Sequence, residues 1–220
     1  MQRRPEPELM TEQDQALAYA QADFEGPNSQ FVRLFGERFP EFSSGYVLDL
    51  GCGPGDITLR LARSYPQAVV HGLDGSPAML AHAADALLAA PQLHGRVEFI
   101  EDVLPSARLP RQHYDAVLSN SLLHHLHDPA VLWDTIKGCA RPGAAVLVMD
   151  LFRPVSEARA HEIVETYSGS EPEMLKKDFY NSLLAAFTVD EVREQLDHAF
   201  LRGLRVETVS DRHLLVWGRV

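Results

Sequence analysis

Apolar runs recur through the middle of the chain at helix-sized intervals, and each ends in small or acidic residues. Tyr46-Val47-Leu48-Asp49-Leu50, Ala68 to Asp74, Val97 to Val103, Tyr114 to Asn120 and Ala144 to Asp150 read as five buried strands. Helical periods separate the first of them. Asp56 to Arg63 offers Ile57, Leu59 and Leu61 to a core, and Ser76-Pro77-Ala78-Met79 opens a helix with Ser76 as N-cap and Pro77 at the first helical position. Such alternation predicts a parallel sheet covered on both faces. Two helical patterns precede the first strand, Gln13 to Phe24 and Ser29 to Phe39, with Gly26-Pro27-Asn28 as the break between them. After Val155 the period is helical again over Glu157–Tyr167, Glu173–Phe187 and Val189–Phe200. Leu204–Val209 and Leu214–Arg219 then read as an antiparallel edge hairpin turning at Asp211-Arg212.

The first strand runs into Asp49-Leu50-Gly51-Cys52-Gly53-Pro54-Gly55 and then directly into a helix. Glycines there bring backbone N–H groups and a positive helix end close to a ligand. The G-x-G-x-x-G dinucleotide pattern is broken, because Asp56 stands at its third glycine, which disfavours an NAD-binding dehydrogenase. No Lys or Arg lies between Tyr46 and Ile57 to neutralise a pyrophosphate. With Asp49 and Asp56 flanking the turn, a ligand carrying an ammonium, a sulfonium and a nucleoside suits the charge better.

Asp49-x-Gly51-x-Gly53-x-Gly55 resembles motif I of the class I S-adenosylmethionine-dependent methyltransferases, and later landmarks follow in that family's order. Asp74, at the end of the second strand, can accept both ribose hydroxyls. The resemblance implies that Asp102 holds the adenine amino group and that Val103 offers its backbone N–H to the ring. It covers roughly Tyr46 to Phe152 and extends to the turn Arg141-Pro142-Gly143. The expected cofactor is S-adenosyl-L-methionine, bound by Tyr19, Asp49, Gly51, Cys52, Gly53, Asp74, Gly75, Met79, Asp102, Val103, Ser119, Asn120 and His125. Tyr19 and Asp23 lie one helical turn apart and could both face it. The implied fold is α/β: a Rossmann-like, seven-stranded, mostly parallel sheet with an antiparallel edge hairpin and a helical lid. Its expected parts are a disordered start at 1–10 and a single domain at 11–220. That domain comprises N-terminal helices (11–42), the cofactor-binding core (45–152), the lid (155–200) and closing strands (203–220).

Composition narrows the function. The formal net charge is −11, with 31 acids against 20 Lys and Arg spread along the chain, which argues against a phosphate backbone as partner. The family's Asn-Pro-Pro-Tyr signature for methylating nucleic-acid bases is absent, and Ser119-Asn120-Ser121-Leu122 stands there instead. A small-molecule acceptor is therefore expected, with no nucleic acid or membrane partner and a homodimer left open. Cys52 and Cys139 have no disulfide spacing, and Met1 to Glu8 lacks the apolar stretch of a secretory signal, so a cytoplasmic protein is expected.

The acceptor side is marked by Leu123-His124-His125-Leu126-His127-Asp128-Pro129. Only one of the adjacent His124 and His125 can face the reacting centre if the segment is helical. His124 and Tyr180 are the expected catalytic pair, with the pocket between the histidine turn and the helices from Glu157 to Phe187. His124 and His127 share a face and could hold a metal with Asp128 or Asp150, but no further ligand spacing supports this, and no metal is expected. Two alternatives stay open: carboxymethyl chemistry on the same fold, for which Arg153 or Arg212 would hold the extra carboxylate, and a non-catalytic cofactor-binding subunit.

Overall fold

The computed structural model describes residues 1–7, 17, 19 and 24–220. Its seven strands form one sheet in the order β3-β2-β1-β4-β5-β7-β6. Strands β1 (Ser44–Leu50), β2 (Gln67–Asp74), β3 (Val97–Glu101), β4 (Tyr114–Asn120) and β5 (Ala140–Leu151) run parallel. The edge is antiparallel, as expected: β7 (His213–Arg219) lies between β5 and β6 (Leu204–Thr208). Strand order reverses between β1 and β4, and that reversal opens the crevice where ligands bind in sheets of this kind.

Seven α-helices accompany the sheet among the described residues: α1 (Glu25–Arg38), α2 (Asp56–Ser64), α3 (Pro77–Leu88), α4 (Ala130–Cys139), α5 (Glu157–Ser168), α6 (Glu173–Ala185) and α7 (Val189–His198). Alternate residues of each strand feed opposite cores. Leu48 and Leu50 of β1 join Leu132, Trp133 and Ile136 of α4 on one face. Val47 joins Phe31 and Phe35 of α1 and Leu59 and Leu61 of α2 on the other. Asp49, one position on from Leu48, is thereby turned into the α2 face although it is charged.

Three expectations need correction. Gly26-Pro27-Asn28 does not break the chain; it sits in the first turn of α1, where Pro27 costs no helical hydrogen bond because those amides have no partner. The start of the chain is not a disordered stretch over residues 1–7. The Arg4 amide donates to the Leu184 carbonyl (3.0 Å), and the Arg3 guanidinium lies 3.9 Å from the Phe187 ring centre, so this segment is held against α6. Residues 8–10 lie outside the described residues, as do Asp23 and most of the expected helix from Gln13 to Phe24. Finally, α7 is no lid, since Val192 and Leu196 pack into the core with Trp133. The cover comes from α5 and α6, whose Ala160, Ile163, Val164, Leu183 and Leu184 form a separate cluster over Leu151 at the end of β5.

Both cysteines are free and buried, and burial pushes the Cys139 thiol up to about 12. No helix among the described residues is long and apolar enough to cross a membrane.

Trp133 is fully buried and its indole N–H donates to Gln195 Oε1 at 3.0 Å, which ties α4 to α7. Trp133→Ala should lower unfolding free energy by about 3–5 kcal/mol in urea denaturation. Leu88→Ala, at a side chain 70% exposed, should stay within about 0.5 kcal/mol.

Candidate active site

The carboxyl ends of β1 to β4 meet at a cavity of 260 Å³. The glycine turn forms its floor. The Gly51 and Cys52 amides donate to the Leu73 carbonyl at 2.8 and 3.0 Å, which clamps the turn to the end of β2. Gly55 is the left-handed N-cap of α2 (φ +83°), and a Cβ there would lie 2.7 Å from Phe99 Cζ and 3.0 Å from Ala83 Cβ. Gly53 is also left-handed (φ +52°), but nothing lies within 4 Å of its would-be Cβ. The space above it is open to a ligand.

Asp74 closes the floor. Its Oδ2 accepts from the Gly53 amide and its Oδ1 from the Ser76 amide, both at 2.8 Å. Burial raises its pKa even though the amides of Ser76, Gly53 and Gly75 oppose the shift. Asp49 is 1% exposed and accepts the Thr58 hydroxyl at 2.6 Å. Burial, against that hydrogen bond and with the charge of Asp74 adding to it, pushes its carboxyl up to about 7.

Of the residues expected at the cofactor, Tyr19, Gly51, Gly53, Asp74, Gly75, Met79, Asp102, Val103, Asn120 and His125 line this cavity. Asp49 and Cys52 border an adjoining 630 Å³ cavity beyond the glycine turn. Ser119 borders neither. Its Oγ donates back to the Leu50 carbonyl (2.9 Å), because the strand alternation turns it into the sheet. Asp102 lies just past β3, where its Oδ2 accepts the Ser106 hydroxyl (2.6 Å) and its Oδ1 accepts the Val103 amide (2.9 Å). The Ser106 hydrogen bond holds this carboxyl below its ordinary range, and the Val103 amide is engaged within its own segment.

Asn120 stands where the cavities join. Its Nδ2 donates to Ser121 Oγ (3.2 Å), while its buried Oδ1 has no hydrogen-bond partner among the described residues. An orphaned acceptor of this kind is costly unless a ligand N–H or O–H meets it. Ser121 next to it adopts φ +58°, a strained conformation for a non-glycine residue, and swings the chain into the short 3-10 turn Leu123–His125.

That turn is fixed by Asp150 at the end of β5. Asp150 accepts from His124 Nδ1 at 2.6 Å and from the Leu123 and Leu151 amides, each at 2.7 Å. Burial disfavours the charged imidazole of His124, but the Asp150 charge and hydrogen bond and the nearby Glu6 outweigh it and raise the pKa. Burial and the neighbouring His124 push His125 down to about 3.

His124 and His125 also line a 350 Å³ cavity under α5 and α6, walled by Leu175, Phe179 and Ser182, with Arg212 and His213 at its rim. Tyr180 is not in that wall. Its ring stacks on His161 at 4.3 Å and its hydroxyl reaches Glu157 (3.4 Å), because the helical period that places Phe179 inward turns the next residue out. Arg153 is excluded too, being buried and bonded to Glu191 (2.6 Å) and the Ala186 carbonyl (3.1 Å). His127 turns to the Glu6 carbonyl (3.0 Å) rather than sharing a site with His124. Two anchors were not read as such from the sequence. Asp150 was weighed there only as a metal ligand beside the histidines, and its role as the strand-end carboxylate that holds the turn was not foreseen. Glu6 carried no readable signal, since it lies in a Pro- and charge-rich stretch with no apolar period.

Residues 47–143 match the family described as "Methyltransferase domain". Uncharacterised methyltransferases of Mycobacterium tuberculosis and Mycobacterium bovis are 32% identical over 108 residues, 49% of this chain and 51% of theirs. The trans-aconitate 2-methyltransferase of Klebsiella pneumoniae is 42% identical over 88 residues, 40% of this chain and 32% of its own length. The chain thus spans about half the length of the mycobacterial relatives. Among solved structures, a SAM-dependent methyltransferase from Aquifex aeolicus superposes with TM-score 0.70 at 16% identity, covering 96% of this chain and all of that one. Phosphoethanolamine N-methyltransferase 2 of Haemonchus contortus, solved with S-adenosyl-L-methionine, also gives TM-score 0.70 at 16% identity, over 95% of this chain and 57% of that one. The segment from 47 to 143 is thus similar to methyltransferase domains, and the fold is that of the solved S-adenosylmethionine-dependent methyltransferases.

The two glycines should separate stability from binding. Gly53→Ala carries only left-handed strain, about 1–2 kcal/mol, whereas Gly55→Ala adds the clash with Phe99 and Ala83 and should unfold at clearly lower urea. Chemical denaturation of both variants decides the order.

Proposed function

We propose that this chain is a class I S-adenosylmethionine-dependent methyltransferase that transfers a methyl group from S-adenosyl-L-methionine to a small organic acceptor. The observation that carries it is the orphaned, buried Asn120 Oδ1, set beside a glycine floor open at Gly53 and the Asp74 carboxylate, with no cation in the turn. That donor set fits an ammonium-bearing nucleoside ligand and fits a pyrophosphate poorly. When bound, the cofactor supplies an electrophilic methyl on a positively charged sulfur. Asp74 accepts the ribose hydroxyls, Asp102 meets the adenine side, and Asn120 and Asp49 take the polar end with its positive charge.

The acceptor occupies the 350 Å³ cavity, which shares Tyr19, Asn120, Ser121 and His125 with the cofactor cavity. In-line displacement chiefly demands that acceptor and methyl be aligned and water excluded. Phe179 and Leu175 of α6 provide the apolar cover, and His124, locked by Asp150, positions the acceptor's polar atom. Similarity to the trans-aconitate enzyme covers 40% of this chain and 32% of that one, so it does not carry the acceptor over. Of the two arginines that carboxymethyl chemistry would call on, Arg153 is committed to Glu191, which leaves that reading only Arg212, paired with Asp211 at the cavity. The free thiols fit a reducing, cytoplasmic setting.

Calorimetry with S-adenosylhomocysteine tests the cofactor. Asp74→Ala should weaken binding by about 1–3 kcal/mol, the scale of charge-assisted hydrogen bonds, and wild-type protein that takes NAD instead would overturn the reading.

Asp49 gives the affinity a pH dependence. Its ionised form attracts the ammonium, and with a folded pKa of about 7 that form is scarce at pH 6 and dominant at pH 8. Affinity should therefore rise roughly tenfold over that interval, and Asp49→Asn should flatten the rise. The free protein should show the opposite slope. A raised carboxyl pKa contributes stability that is present at low pH and lost as pH climbs through about 7. His124→Ala should lower turnover on an identified acceptor while S-adenosylhomocysteine affinity changes little.

A further inference from the structure

The segment 1–7 lies across the histidine turn like a strap. Arg3 Nη2 donates to the carbonyls of His124 (2.9 Å) and Leu126 (3.0 Å), and its Nε donates to the Ala185 carbonyl (2.5 Å). This docking delivers Glu6, whose side chain is 12% exposed, to the two histidines. Glu6 Oε1 accepts the Ser182 hydroxyl at 2.9 Å and lies 3.5 Å from His124 Nε2 and 3.3 Å from His125 Nδ1. The three ligand atoms all fall within 4.8 Å of one another.

The protons at this point are too few. The 2.6 Å contact with Asp150 places a proton on His124 Nδ1; Nε2 is then a lone pair in the neutral ring, and in the imidazolium it carries the one proton that could reach Glu6. His125 Nδ1 is buried and has no hydrogen-bond partner among the described residues. Glu6 as a carboxylate offers only lone pairs. Three acceptor atoms therefore converge. One added proton can satisfy a single pair and leaves the other nitrogen facing an oxygen. One cation satisfies all three.

The spacing suits a metal. Bonds of about 2.0–2.1 Å at tetrahedral angles set neighbouring ligand atoms about 3.3–3.4 Å apart, close to the 3.3 and 3.5 Å seen here. Asp150 behind His124 is the outer carboxylate that orients a ligating imidazole and fixes its tautomer.

We propose that His124 Nε2, His125 Nδ1 and Glu6 Oε1 form a binding site for one divalent transition-metal ion of the zinc type. Three protein ligands leave a fourth position, and both histidines border the 350 Å³ cavity. Resting on the methyl-transfer reading, the open position selects acceptors that present a carboxylate, hydroxyl or amine lone pair beside the methyl group. The site itself needs no such reading, because metal affinity is measured without turnover.

The test uses the full chain, stripped with a chelator and titrated with zinc chloride by calorimetry. Wild-type protein is expected to take one equivalent at micromolar affinity or tighter. Glu6→Gln and His125→Ala should each weaken it at least tenfold, while His94→Ala, remote from the site, should bind as wild type. Circular dichroism melts confirm that each variant is folded. Loss of affinity in Asp150→Asn, with the fold retained, would support the outer carboxylate. Absence of stoichiometric zinc binding, or wild-type affinity in both Glu6→Gln and His125→Ala, overturns the site. S-adenosylhomocysteine binding by the same stripped protein reports separately on the cofactor reading, so the two can fail independently.

Discussion

The carboxylate of Asp74 is the joint on which the carboxyl edge of the sheet depends. It sits at the end of β2, and its two oxygens take amides from Gly53 in the turn after β1 and from Ser76 at the head of α3. Without that carboxylate both amides would lack this acceptor, and a buried amide left unpaired costs about 1–3 kcal/mol. The Leu73 carbonyl, one residue earlier, holds the Gly51 and Cys52 amides. One strand end therefore organises the whole floor of the cofactor cavity, and the glycines serve this clamp as much as they serve the ligand.

A second strand-end carboxylate performs the same task on the acceptor side. Asp150 gathers the amides of Leu123 and Leu151 and the ring of His124, and so fixes a turn whose entry residue, Ser121, is held in a strained conformation. Strain at such a point persists only when the surroundings over-determine it. Here the over-determination is a buried charge with several donors. The edge carries Asp49, Asp74 and Asp150 with no basic side chain among the residues lining the cofactor cavity. In the free protein that excess is carried partly as protonation, which is why burial lifts the Asp49 carboxyl toward neutrality.

The division between what was legible in the sequence and what was not follows the range of the forces involved. The strand positions, the edge hairpin and the glycine turn rest on local periodicity and on consecutive residues, Asp49 to Gly55, whereas the strand order comes from the structure. The start of α1 was misread because Pro27 signals a break only when the first-turn exemption is ignored. Tyr180 was chosen by residue type, and helical phase then placed Phe179 in the cavity and Tyr180 on His161. Ser119 failed for the analogous reason in a strand, where a shift of one residue exchanges the faces. The contact between Glu6 and His124 spans more than a hundred positions and has no period to announce it. Arg3, in the same stretch, is docked by carbonyls of the histidine turn and of α6, which no composition argument anticipates.

These ranges also divide the molecule by task. The matched family segment, 47–143, holds every residue of the glycine floor together with Asp74, Asp102 and Asn120. Much of the acceptor cavity's wall comes from outside it: Leu175, Phe179 and Ser182 of α6, Arg212 and His213 ahead of β7, and Asp150 behind the histidines. Only the stretch from Asn120 to His125 belongs to both. A segment that must bind one invariant ligand is constrained at each backbone amide, whereas a cover of side chains on α5 and α6 can change its lining without disturbing the clamp at Asp74. Similarity over 47–143 therefore bears on the glycine floor and Asp74 and stays silent on the wall that α6 and the β7 entry supply. In this chain the strap at 1–7 and α6 meet at a single oxygen, Glu6 Oε1, bonded to Ser182 and facing both histidines, so the variable part of the wall and the histidine turn are joined at one atom.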